Sequence, residues 1–423
     1  MLQKSIHFFD VISRWIKFFL IAIVCFLNSS EAKTIRIGAN YKYQTFQSAL
    51  SFAVNGDSIL VSKGLYNEGT IIIDKSIALI GESLPVISGD NKYEIMKIVS
   101  DNVIVRGFEF RDAGINFIYE NSAIKLDGVA NCRIEKNVFV NNFFGIYLSR
   151  SVSCTITDNE ITAFQTKETY SGNGIHLWQC GDMIIKRNKI NGHRDGIYFE
   201  FVKRSSIKDN LSENNLRYGL HFMFSDSCSY AHNNFTNNGA GVAVMFTKNV
   251  DMHSNHFKNN WGGSAYGLLL KDISDSRIYN NIFSKNSCAI YFEGCNRIST
   301  ERNDFIENGW ALRLMANSMD NVFTKNNFAG NTFDVTTNST RNYNLFESNY
   351  WSEYKGYDLN KDGIGDVPYR PVKLFSFISE KIRPSLILIR SLFVDIINLA
   401  ENIFPTLTPE GLIDRKPMMK RIQ

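Results

Sequence analysis

His176, His221, Met223 and Met245 are the residues whose types and spacing best suit chemistry. They follow glycines in short runs such as Gly174-Ile175-His176-Leu177 and Gly219-Leu220-His221-Phe222, which read as strands of alternating face. Positions two and four after each glycine then share the outer side. The first column reads Tyr147, His176, Tyr198, His221, and the second reads Ser149, Trp178, Glu200, Met223, Met245. His221, Met223 and Met245 would project from adjacent repeats on one face, with His176 two repeats below His221. Imidazole and thioether donors suit Cu(I). The competing reading packs the methionines beneath a long loop or against a partner.

Two further constellations stand out. Arg194, Asp195, Glu200 and Arg217 cluster in the same region. They could serve acid–base chemistry, join adjacent repeats as ion pairs, or form a polar docking surface. The run from Asp358 through Asn360 and Asp362 to Gly363 has the opening rhythm of a calcium loop, and Asp366 falls at its ninth position. Tyr369 occupies the twelfth position, where a helix-flanked calcium loop supplies a bidentate glutamate. A calcium site and a capping loop ordered by its own Asx turns are both open.

The element that must position these residues is a repeat. Asn137, Asn159, Asn188, Asn210, Asn233, Asn255, Asn281, Asn303 and Asn326 recur at gaps of 22, 29, 22, 23, 22, 26, 22 and 23 residues. Two residues on lies an aromatic file: Phe139, then Phe235, Phe257, Phe283, Phe305 and Phe328. Five residues on lies a second asparagine file: Asn215, Asn238, Asn260, Asn286, Asn308 and Asn331. Two short strands per 22 residues, bounded by Asn and Gly turns, specify a right-handed parallel β-helix whose coils bury their apolar faces by stacking. The phenylalanines form an internal stack. The asparagines form hydrogen-bonded ladders and accept the left-handed turn conformation.

Around that rod the chain divides into residues 1–32, a secretory signal; 33–347, the rod with its N-terminal cap; 348–371, an acidic and aromatic loop; and 372–423, an amphipathic helical tail. Residues 44–50 read as a short capping helix. Lys4, Arg14 and Lys17 precede the apolar run Phe18 to Leu27, too short to span a bilayer. Cleavage removes three cations and two anions, taking the net charge from +4 to +3, too mild to favour nucleic acid. Cys132, Cys154 and Cys228 share an inward column and read as buried thiols, although export permits a disulfide between coils. In the tail, Leu386, Ile389, Phe393, Ile397, Ala400 and Phe404 recur at helical spacing. Either a second end cap or a helix docked on a membrane partner would use that face.

The stretch from Asn349-Tyr350-Trp351 through Asp358-Leu359-Asn360-Lys361-Asp362-Gly363 to Tyr369-Arg370-Pro371 resembles the closing signature of the NosD family. Arg194-Asp195-Gly196-Ile197-Tyr198-Phe199-Glu200-Phe201 and Leu216-Arg217-Tyr218-Gly219-Leu220-His221-Phe222-Met223 are similar to its central run. The resemblance covers residues 34–371 and implies a periplasmic, non-enzymatic β-helix working with an ABC ATPase and a membrane permease. It also implies a copper chaperone docking on the rod, copper delivery to nitrous-oxide reductase, and peripheral membrane association through the tail.

The rival class is a β-helical carbohydrate-binding or polysaccharide-cleaving protein. A glycosidase needs two positioned carboxylates. Asp195 and Glu200 are the regular-coil pair to consider, and five-residue spacing puts them on opposite faces unless the turn at Gly196 intervenes. An adjacent operon encoding an ABC ATPase and permease, or one for polysaccharide utilisation, discriminates the two.

Overall fold

Each coil carries three short strands, one more than the repeat suggested. The computed structural model describes residues 32–164, 166–262, 265–339, 343–404 and 412–423, so nearly all of the expected secretory signal lies outside the described residues. In one coil the strands are Arg133–Glu135, Val138–Val140 and Phe144–Ser149. The left-handed residue Lys136 (φ 54°) breaks what reads as one arm into two. Strands of successive coils pair in parallel to give sheets of 14, 13 and 12 strands among the described residues. They are called here sheets I, II and III, and sheet III holds Phe144–Ser149.

The ladders behave as hydrogen-bond chains. Each asparagine amide oxygen accepts both the backbone N–H and the side-chain amide of the asparagine one coil before, as when Asn210 donates twice to Asn233 at 2.9 Å. The other amide hydrogen reaches a carbonyl deeper in the rod, Ile185 in that case. The left-handed turn residue is not the ladder asparagine but its predecessor, such as Asp158, Asp209 or His232. The asparagine side chain must point inward to stack, so the residue before it makes the turn. Beside the ladder, Phe257, Phe283, Phe305 and Phe328 stack at 4.5, 5.2 and 4.8 Å and end on Trp351 at 4.2 Å. All six cysteines among the described residues are buried free thiols.

Both ends are closed. Helix α1 (Phe46–Phe52), capped by the Thr45 hydroxyl accepting from the Ser48 N–H, turns Phe46 onto Tyr66 and Phe108. At the other end, helix α2 (Leu374–Lys381) lies against the last strand of sheet III, and helix α3 (Leu392–Ile403) packs on α2. Phe375 and Val394 bury with Phe333, and Leu386, Ile389 and Ile397 pack around them. Arg313 on sheet III forks onto Glu380 of α2 at 2.6 and 3.2 Å. Phe393 and Phe404, read on the same apolar face as Leu386, Ile389 and Ile397, are exposed. The tail is not helical to its end: residues 412–418 return to the last coil, where Asp414 bridges Phe346 and Tyr369 and Met418 bridges Tyr350.

Candidate functional site

Sheet III confirms the two columns by register. Tyr147 pairs with His176, His176 with Tyr198, Tyr198 with His221 and His221 with Ala243. In parallel, Trp178 pairs with Glu200, Glu200 with Met223 and Met223 with Met245. The first column is an aromatic ladder: centroids are 4.5 Å apart for Tyr147–His176, 4.7 Å for His176–Tyr198 and 5.0 Å for Tyr198–His221.

The outer face is not uniformly open. Phe117 packs on Phe143 and Lys125 reaches the Tyr119 carbonyl, so the loop around residues 116–121 lies against it. Asn173, from the insertion after Ala163, bonds the His176 ring at Nδ1 (3.0 Å). His176 is thereby enclosed, and burial pushes its pKa down to about 3. The Tyr198 ring separates it from His221. The register therefore sets Met223 beside Met245, with His221 two residues back on the strand of Met223, and leaves His176 apart.

His221 is buried, with Nδ1 3.5 Å from Asp195 Oδ2 and no hydrogen-bond partner at either ring nitrogen. Met223 and Met245 are half-buried, and the Tyr198 hydroxyl lies 3.6 Å from the Met223 sulfur. One imidazole and two thioethers are donor types that suit Cu(I), although the Met223 sulfur faces the Tyr198 hydroxyl and His221 Nδ1 faces Asp195. Tyr198 is the neighbour that sequence reading placed in the column without a role. Its register between His176 and His221 was the available signal.

Asp195 corrects two expectations. It is fully buried, so it cannot belong to an exposed docking surface. Its carboxylate is gripped by Arg217 from the next coil, with Nε–Oδ1 at 2.9 Å and Nη2–Oδ2 at 2.5 Å, while Arg194 stands 4.0 Å away. Burial alone would raise this carboxyl, but His221 and Arg217 outweigh it and hold its pKa below the ordinary value. The ion pair links adjacent coils through a carboxylate that is fully buried while its arginine stays 35% exposed. Strand alternation is also broken at Gly196, where an added Cβ would collide with Ser212 Oγ and the Gly219 carbonyl. Asp195 thus turns toward His221, on the side of Tyr198. Glu200 remains half-exposed and accepts the Tyr198 hydroxyl at 3.3 Å.

In the acidic loop the side chains serve the loop itself. Asp358 accepts the Asp362 and Gly363 amides, Asn360 accepts the Asp362 amide, Asp362 accepts Ile364 and Asp366 accepts Leu359. This is the Asx-turn arrangement. No group of three or more His, Cys, Asp or Glu side chains among the described residues could hold a metal ion.

The family model described as periplasmic copper-binding protein (NosD) matches residues 162–362, which contain the whole His221–Met223–Met245 region. A probable ABC transporter binding protein NosD of Pseudomonas aeruginosa is 27% identical over 404 residues, covering 83% of this chain and 86% of that one. Its namesake from Stutzerimonas stutzeri is 26% identical over 378 residues, covering 84% and 85%. Among solved structures, a family 28 exopolygalacturonase of Yersinia enterocolitica superposes with a TM-score of 0.59 at 10% identity, over 75% of this chain and 79% of that one. That likeness establishes the β-helix and nothing of its chemistry.

Proposed function

The chain belongs to the NosD family, and from that premise we propose that it is the exported scaffold of an ABC-type maturation complex supporting copper insertion into nitrous-oxide reductase. In this reading residues 1–32 direct export to the periplasm and the rod of 33–347 is the working surface. The loop of 348–371 closes the rod, its carboxylates spent on its own amides. The tail of 372–423 meets an ABC ATPase–permease pair at the membrane. A copper chaperone and the reductase dock on the rod, with Arg194, Glu200 and Arg217 at the polar margin of that surface.

Cu(I) is cargo in this scheme. The observation that carries the reading is the register pairing of Met223 with Met245 on strands of which the first also carries His221. Thioether ligands hold Cu(I) reversibly, as a transfer station requires. The chain acts as a binder and not as an enzyme: its relatives are named binding proteins, and Asp195 is committed to Arg217.

The test is the double variant Met223→Leu and Met245→Leu, which conserves volume and leaves folding nearly unchanged. Chelator competition should show weakened Cu(I) binding, and the co-produced reductase should contain less copper. Equal Cu(I) binding and equal loading would assign the methionines to packing. Release of reducing ends from a polysaccharide panel, abolished by Asp195→Asn or Glu200→Gln, would replace the scaffold reading with an enzyme.

A further inference from the structure

Phe201, Phe224 and Phe246 occupy the same corner of three successive coils, directly after Glu200, Met223 and Met245. Each backbone N–H donates to the strand end of the next coil: Phe201 to the Met223 carbonyl, Phe224 to Met245 and Phe246 to Lys271. Their rings stack with centroids 5.2 and 5.1 Å apart and planes within 10° and 15° of parallel. Even so they are 44, 40 and 40% exposed.

The fold does not ask for phenylalanine there. All three residues are in the left-handed region (φ 55°, 49° and 55°), which bulky side chains avoid. Neighbouring coils make the same turn with Arg150, Gln179, Asp272 and Gly294. Three exposed rings at disfavoured positions therefore need a reason outside the turn. Parallel stacking hides the ring faces from one another and leaves the edges outward. Edges carry the positive rim of the aromatic quadrupole and suit thioether sulfur and aliphatic groups better than the flat face of a sugar.

Beyond the ridge, Lys203 and Lys248 are exposed and form no ion pair among the described residues. Asp226 between them spends one carboxylate oxygen on the Lys248 amide at 3.0 Å. Two lysines against one aspartate leave the shoulder with a net positive charge, and a matching partner carries carboxylates there. We propose that the Phe201–Phe224–Phe246 ridge docks a protein segment that presents methionine or leucine side chains beside Asp or Glu. The ridge adjoins Met223 and Met245, but this docking stands even if those methionines never meet copper.

The experiment places the photoreactive analogue p-benzoylphenylalanine at position 224 of the full chain in the producing cell, and the cross-linked peptide is sequenced by mass spectrometry. The expected adduct is with another protein, through an acidic segment bearing Met or Leu. Adding Phe201→Asn and Phe246→Asn should cut its yield about ten-fold, as loss of central interface anchors does. Asparagine is at ease at positive φ, so the melting temperature should hold or rise. Lys203→Glu with Lys248→Glu should reduce the adduct as well. A lipid adduct, one with a second copy of this chain, one with a basic segment, a yield unmoved by these variants, or no adduct beyond that of the analogue at Gln179 would overturn the proposal.

Discussion

Asp414 receives the end of the asparagine ladder: the backbone and side-chain amides of Asn349 both donate to its Oδ2, at 3.0 and 3.1 Å. Every earlier rung closes on the asparagine of the next coil, as Asn326 closes on Asn349. Past Asn349 the chain leaves the repeat, and a residue 65 positions away supplies the missing acceptor. The same carboxylate also accepts from Ser348 N, Lys416 N and the Trp351 indole N–H. The chain's last segment thus fastens the final coil by finishing its hydrogen-bond chain.

Asp414→Ala should therefore destabilise the C-terminal coils by about 3 kcal/mol, because several buried donors lose their acceptor at once. Asp414→Asn should cost less because its amide oxygen can still take both Asn349 donors, even though its amide nitrogen would oppose the Ser348 and Lys416 N–H groups. Hydrogen exchange resolved along the chain is the measurement. Protection should fall around residues 345–351 and persist near residue 139. Uniform protection in Asp414→Ala would mean that other contacts fasten the end.

The second ladder has a flaw at His193, and it makes the fold sensitive to acid. The His193 backbone N–H donates to Asn215 Oδ1 at 3.1 Å as a ladder asparagine would, but neither ring nitrogen has a hydrogen-bond partner. Burial pushes its pKa down to about 4. The unfolded chain takes up this proton as pH falls through about 6.5, and the folded chain does not until about 4. Stability is therefore full above the unfolded value and lost as pH drops between the two. His193→Asn should remove about 2 kcal/mol of the loss between pH 7.5 and pH 5, read from denaturation midpoints. Identical pH dependence in the two proteins would exclude His193 as the source, leaving the enclosed His176.

How much of this was legible in the sequence depends on what the repeat controls. The ladders, the phenylalanine stack and both columns of sheet III could be read because stacking puts like positions on like positions. Asp195 could not be placed, because the turn at Gly196 breaks the alternation that assigns a side chain its face. The enclosure of His176 depends on Asn173, in an insertion that the period skips. Asp414 lies outside the repeat and carries no local signal. The phenylalanine ridge recurs at gaps of 23 and 22 residues, but it spans only three coils and sits at turn positions that other coils fill with polar residues or glycine.

The tail helices present a final relationship that experiment can settle. Helix α3 turns Val394 and Ile397 toward Phe333 and Phe375, while Leu392, Ile396, Leu399 and Ile403 face outward and exposed. No helix among the described residues is long and apolar enough to cross a membrane. One face thus anchors the helix to the rod, and the opposite face is as apolar as the first. If that outer face meets the permease, Ile396→Ser with Leu399→Ser should abolish co-purification with it. The rod itself should change by less than about 0.5 kcal/mol, as for exposed positions elsewhere. Val394→Asp is the complementary change, since it buries an unpaired carboxylate and should detach the helix from sheet III. Permease retained by the double serine variant but lost in Val394→Asp would place the contact on sheet III itself, with α3 acting as a cap.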